Sequence, residues 1–164
     1  MSRGFVKEDD QEEAPIIPPR AALPAGETNY VTPNGLKELK NEEEALIEER
    51  ANLDKQNDTE RRRAQAVIDG KLKLLRERIS TARLLKPEDQ PADEVRFGAL
   101  VKLLQNGNKQ EFQIVGVDEA KVKKQKIAFV APIAKAVTGK KVGDKVDFKL
   151  GEETRKLEIL KITY

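Results

Sequence analysis

Neither cysteine nor histidine occurs anywhere in the 164-residue sequence. The first absence excludes disulfides, thiolate zinc sites and a cysteine nucleophile. The second removes the commonest general base and the commonest metal ligand. A self-contained hydrolase is therefore not expected; the chain reads as a non-enzyme, and only carboxylate chemistry stays open. Long apolar runs are missing too, since none approaches the roughly 18 residues of a membrane span. The opening MSRGFVKEDDQEEAP is acidic and has no hydrophobic stretch, so no secretory signal is read there. The expectation is a soluble, cytoplasmic protein with no membrane partner. Aromatics are scarce at 4%, and between Val31 and Arg96 there are none. A thin element without buried rings fits that gap, and a packed domain fits the ring-bearing residues beyond Arg96.

Charge is what the chain has in quantity. Charged residues make up 37% and apolar residues 38%, a balance suited to an extended element attached to a small core. The net charge of +2 hides a segregation: residues 32–60 carry nine acids and four bases, and residues 61–86 carry nine bases and two acids.

The chain divides into four segments. Residues 1–29 hold the proline-rich EEAPIIPPRAALPAGET and read as a disordered tail, because proline fixes φ and donates no hydrogen bond. The alternative is that Phe5, Val6, Ile16 and Ile17 dock on the rest of the protein or on a partner. Residues 30–86 read as an antiparallel two-helix coiled-coil arm. Thr32 is placed as N-cap and Pro33 at the first helical position. Leu36, Leu39, Leu46 and Leu53 follow a three-four rhythm that Glu43 and Arg50 interrupt. In the second helix, about 59–85, Ile68, Leu72, Leu75, Ile79 and Ala82 keep it unbroken. Each stripe is too narrow for a globular core, but the two can bury each other. At helical rise the arm would project roughly 35–40 Å. Residues 87–94 read as a linker. Residues 95–164 alternate as strands, with Asn106-Gly107-Asn108 as a hairpin signal and APIAKAVTG as a short helix closed by Gly139. The fold class is α+β, with an antiparallel sheet in the second domain.

LDKQNDTERRRAQA, residues 53–66, joins the acidic helix to the basic one. Asp58 or Thr59 could cap the second helix, with Glu60 favoured in its first turn by the helix dipole. The same acids, with Asp54 one turn earlier, could instead meet a metal ion. Arg61, Arg62 and Arg63 stand at the unfavourable end of that dipole. They are read either as a solvated face or as contacts to RNA or to acids of a partner. Lys121, Lys123, Lys124 and Lys126 form a basic loop without interleaved aromatics, either solvated or an electrostatic docking surface.

The segment APIAKAVTGKKVGDKVDF, residues 131–148, resembles the bacterial Gre transcript-cleavage factors, GreA and GreB. FQIVGVDEA (112–120) and YVTPNGLKEL (30–39) are similar to neighbouring stretches of that family, and the order of arm then domain is the same. The resemblance implies an FKBP-like C-terminal domain and RNA polymerase as partner, with the free protein a monomer. Pro132, Ile133, Lys135 and Gly139 become candidates for the polymerase-binding surface. It further implies an arm that enters the polymerase's secondary channel, where acids at the tip help hold the polymerase's own Mg²⁺. No other cofactor is implied, and any RNA cleavage would belong to the polymerase. The tip departs from the family's approximate Asp-x-x-Glu-Asn-x-x-Tyr: Asp58 and Glu60 are two apart and the asparagine and tyrosine are absent. The arm also looks about two turns per helix shorter. The expected function is a Gre-like factor that modulates elongation without an intact cleavage tip. The alternative is a cleavage factor in which Asp58 and Glu60 help coordinate Mg²⁺. Peptidyl-prolyl isomerase activity rests on fold analogy alone, a poor warrant.

Overall fold

The computed structural model describes residues 14–55 and 57–164. Strand β1 (Tyr30–Val31) leads into helix α1 (Pro33–Ala51), and α2 (Asp58–Thr81) returns beside it to strand β2 (Arg83–Leu84). The Thr32 hydroxyl accepts from the Gly35 N–H at 2.9 Å, with Pro33 at the first helical position. Leu39, Leu46, Ile68, Leu72 and Leu75 are buried between the helices, with Leu36, Leu53, Ile79 and Ala82 packed on their edges. The two interruptions of the first stripe are put to use across the seam. Glu43 accepts from Arg76 at 2.9 Å, and Arg50 donates to Asp69 at 2.7 Å. That hydrogen bond from Arg50 holds the Asp69 carboxyl below its ordinary range. Both pairs are largely exposed, so neither adds much to stability; their role is to fix register and orientation.

The second helix stops at Thr81, short of the expected residue 85. Beyond it Arg83 and Leu84 pair in parallel with Tyr30 and Val31. The Arg83 N–H donates to the Asn29 carbonyl at 2.8 Å and the Leu85 N–H to that of Val31 at 3.0 Å, bonds that a continuing helix would forgo. This small ladder ties the two ends of the arm together at its root.

The C-terminal domain is a five-stranded sheet in the order β5-β4-β3-β7-β6. Its strands are β3 (Leu100–Gln105), β4 (Asn108–Val115), β5 (Lys126–Ala128), β6 (Lys145–Leu150) and β7 (Glu153–Thr163), with helix α3 (Pro132–Val137) between β5 and β6. The hairpin at Asn106 and Gly107 forms as expected: both have positive φ, +50° and +83°, the type I′ geometry that suits a twisted ladder. The sheet is mixed, however, where an antiparallel one was expected. Residues 116–125 carry the chain back along the domain, so β5 pairs in parallel with β4, Gln113 opposite Lys126. Val101, Leu103, Phe112, Ile114, Leu157 and Ile159 point inward at period two and meet Ala134 and Val137 of α3. Tyr30 at the arm root touches Phe97 and Phe129 of this domain, with ring centroids 5.9 and 5.7 Å apart.

The leader departs most from expectation. Residues 14–29 form no helix or strand, only a turn at 25–26, and prolines explain that, yet the stretch from Ile17 is seated on its neighbours. Arg20 bonds Asp118 and Glu42, Arg78 donates to the Ala21 carbonyl, and Asn29 donates to the Arg78 carbonyl at 2.9 Å. Ile17 lies over Gly70, where an added Cβ would come within 2.6 Å of Cγ1 of Ile17. Of the four residues named for docking, Ile17 is half-buried, Ile16 is exposed, and Phe5 and Val6 lie outside the described residues. Irregular backbone does not imply an unbound one, because side chains at four or five points can hold an extended segment.

Gly70 thus leaves room for Ile17 at a cost of about 1 kcal/mol of helix propensity. In an Ile17→Ala background, Gly70→Ala should stabilise the protein by about 1 kcal/mol in urea unfolding. In the wild type the gain should be clearly smaller, since Ile17 must move aside. Equal gains in both backgrounds would show that Ile17 is not seated there.

Candidate functional site: the arm tip and the arm root

At the tip, α1 ends with Asn52 donating its N–H to the carbonyls of Glu48 and Glu49, and the chain then turns back toward α2. Asn57, not Asp58 or Thr59, caps α2: its side-chain oxygen accepts from the Glu60 N–H at 3.1 Å. Asp58 and Glu60 therefore fall in the first helical turn, where the dipole favours acids. Asp58 is 75% exposed and its carboxylate takes a 2.9 Å contact from Arg61. Arg62 and Arg63 are exposed beside it. Asp54 is exposed in the tip turn, one helical turn before. Among the described residues no group of three or more acids is assembled to hold a metal ion. The tip presents acids and arginines side by side, and the cation that Asp58 meets is the chain's own Arg61.

The root is more constrained. The turn at residues 116–120, between β4 and β5, sends two carboxylates into the arm. Glu119 is buried; it accepts from the Thr32 hydroxyl at 2.5 Å, from Asn34 at 2.9 Å and from Lys126 at 3.2 Å. It sits against the first turn of α1, so close that a Cβ on Gly35 would come within 2.7 Å of its Oε1. A buried carboxylate is tolerable here because three donors and a helix N-terminus surround it. Asp118, one residue earlier and 7% exposed, bonds Arg78 and Arg20 at 2.9 Å each. One turn of the sheet domain thereby holds the start of α1, the end of α2 and the leader. Lys126, read as part of a basic loop, belongs to this cluster, while Lys121, Lys123 and Lys124 are exposed.

At the domain's short helix, Pro132 and Lys135 present themselves differently from Ile133, which is half-buried against the core; Lys135 is exposed. Lys135 reaches Glu27 of the leader at 3.7 Å. Gly139 has φ +85° and donates its N–H to the Val95 carbonyl at 2.7 Å, which closes α3 onto the domain's first segment. The four candidates thus share one stretch of α3 and its exit, well apart in sequence from the tip. Sequence reading missed Asp118, Glu119, Arg20 and Arg78. Its available signal was the paired acids of the VDEA turn beside apolar strands; the arginine partners of Asp118 lie 40 and 98 residues away.

A two-helix arm latched by buried carboxylates to a small mixed β domain is the architecture in hand. Residues 90–164 match the family model described as the C-terminal domain of transcription elongation factor GreA/GreB. Transcription elongation factor GreA of Thermodesulfovibrio yellowstonii is 32% identical over 151 residues, covering 82% of this chain and 96% of that one. GreA of Acidiphilium cryptum is 36% identical over 139 residues, 79% of this chain and 88% of its own. The chain belongs to the GreA/GreB family of transcription elongation factors. Among solved structures, GreA factor homolog 1 of Thermus thermophilus is 22% identical with a TM-score of 0.39, covering 84% of this chain and 100% of its own. GreA/GreB from Nitrosomonas europaea is 20% identical with a TM-score of 0.38, covering 82% and 98%.

Glu119→Ala strands Thr32, Asn34 and Lys126 without their acceptor and should cost about 2–4 kcal/mol in urea unfolding. Asp58→Ala, which removes one exposed pair, should cost under about 0.5 kcal/mol. Similar small losses for both would show that the root is not latched through Glu119.

Proposed function

We propose that this chain binds RNA polymerase through the surface around α3 and inserts its arm into the polymerase's secondary channel, where it modulates elongation without delivering a metal ion. Membership of the GreA/GreB family supports the partner. The observation that carries the rest is the tip: Asp58 faces Arg61 at 2.9 Å, with two further arginines in the next two positions. A guanidinium in contact with a carboxylate competes with Mg²⁺ for it, and neighbouring positive charge lowers the local affinity for any divalent cation. Magnesium also demands oxygen ligands near 2 Å in an almost fixed octahedron. Acids two apart in a first helical turn, with Asn57 occupied as the cap, offer poor support for that geometry. The reach of the arm is set by α1 with 19 residues and α2 with 24, about 28 and 36 Å at helical rise. The match to the Thermodesulfovibrio relative draws on 82% of this chain for 151 aligned positions, so that relative carries residues with no counterpart here.

In this reading Arg61, Arg62 and Arg63 supply contacts to nascent RNA or to the polymerase's own carboxylates, and Asp58 with Glu60 stabilises the helix start. The cleavage reading, with Asp58 and Glu60 on the polymerase's Mg²⁺, is the other outcome of the same experiment. A backtracked elongation complex should release no more short 3′ RNA fragments with the protein than without it. Strong release that Asp58→Ala with Glu60→Ala abolishes would establish the cleavage reading instead. Binding is tested separately by retention on immobilised core polymerase. Lys135→Glu with Pro132→Ala alters the outer side of α3 and leaves Ile133 in the core; it should lower retention at least tenfold. Equal retention of the wild type and that variant would move the binding surface elsewhere.

A further inference from the structure

The seated leader crosses the joint between the arm and the sheet domain. The Arg20 guanidinium gives two hydrogen bonds to Glu42 of α1, at 2.6 and 3.1 Å, and its Nε donates to Asp118 of the 116–120 turn at 2.9 Å. A planar guanidinium, with its donors fixed in a fork, holds both carboxylates in one orientation. The Arg20 side chain is 17% exposed and that of Asp118 7%, so their contact is shielded from most of the solvent that weakens surface pairs. The other Asp118 oxygen takes Arg78 of α2 at 2.9 Å, and Arg78 also donates to the Ala21 carbonyl. One leader residue therefore touches α1 and the sheet domain at once, and the next is held by α2.

These contacts stand well up the arm. Thr32 and Asn34, which Glu119 grips, lie at the start of α1. Glu42 lies nine residues beyond Pro33, about 14 Å along α1. Ile17 packs over Gly70, eleven residues before the end of α2 at Thr81 and about 16 Å from it. A restraint resists rotation in proportion to the square of its distance from the pivot. Contacts this far out therefore hold the arm's angle more firmly than equal contacts at its base. Between the two anchors stand Pro18 and Pro19. Proline locks φ, and consecutive prolines favour an extended conformation that does not readily shorten. Ile17-Pro18-Pro19-Arg20 is thus a short, rigid piece with one end on α2 and the other on Asp118 of the domain.

We propose that residues 17–20 form a strut bracing the arm against the sheet domain, so that an arm whose leader has left its seat stays folded yet swings at its root. The arm's apolar seam does not need the leader: Leu39, Leu46, Ile68, Leu72 and Leu75 bury one another without it. The strut is a separate and removable restraint, held chiefly by one apolar contact and one guanidinium. An acidic surface that takes Arg20 from Glu42 and Asp118 frees the arm without unfolding it. Gly70 and the proline pair, which do nothing for a helix, then share a purpose: one makes the seat and the other the rigid piece that reaches it. The bracing is a property of the free chain and holds whether or not the arm enters a polymerase.

Because the chain has no cysteine, nitroxides can be placed at two engineered thiols in the otherwise intact protein, Thr59→Cys at the tip and Lys109→Cys on the sheet domain. Both positions are exposed. Pulsed dipolar spectroscopy gives the distribution of distances between the labels, and circular dichroism gives the helix content. Arg20→Ala should widen the distribution at least twofold with helix content unchanged. Ile17→Ala, which frees only the upper end, should widen it less. The double variant should be no wider than Arg20→Ala alone, since both substitutions act on one strut. If Arg20→Ala lowers the helix content, Ile17→Ala, which leaves every ion pair in place, decides by the same width. Superimposable distributions for the wild type and the leader variants would overturn the proposal. So would widening confined to variants that lose helix, or additive widening in the double variant, which would make the two contacts independent.

Discussion

A carboxylate from the sheet domain, Glu119, is buried at the first turn of the arm and held there by three side chains, those of Thr32, Asn34 and Lys126. Its neighbour Asp118 takes an arginine from the far helix and another from the leader. Almost everything distinctive in the molecule depends on that turn. A two-helix arm with a narrow apolar seam cannot define its own direction relative to another domain. The β1–β2 ladder closes the arm on itself, and the Tyr30, Phe97 and Phe129 rings give the joint apolar area. The acidic turn sets the angle, because buried charge–hydrogen-bond networks tolerate few alternative geometries.

Polar residues serve different ends at the two extremities of the arm. Along the seam, Glu43–Arg76 and Arg50–Asp69 stand in water and select which helical turns lie opposite. At the root the partners are desolvated and removal of one is costly. At the tip, acids and arginines stand exposed side by side. The arm thus grades from a dry, latched root to a wet tip.

The two helices announce themselves in the sequence through three-four spacing and the Thr32-Pro33 start, and the strands through alternation around Asn106-Gly107. The family is legible in the 131–148 stretch. The features that escaped reading share one physical cause: they depend on contacts between residues distant in the chain. Glu119 meets Thr32 across 87 positions, and no local pattern marks either as the other's partner. The parallel placement of β5 depends on how residues 116–125 turn back. Gly70 reads as a flaw in a helix until Ile17 is seen over it. At the tip the residues were found but the cap was misplaced by one or two positions, because Asn57, Asp58 and Thr59 are all competent caps and backbone geometry chooses among them.

The latch at the root has a mechanical consequence. An arm about 28 Å long acts as a lever, and a tilt of about 5° at its base would carry the tip roughly 2.5 Å sideways. That displacement is most of a hydrogen bond's length, enough to decide whether an arginine meets an oxygen or misses it. Stiffness at Glu119 and Asp118 is therefore aiming accuracy at the arm's far end, and a substitution at the hinge is felt as an error of pointing there.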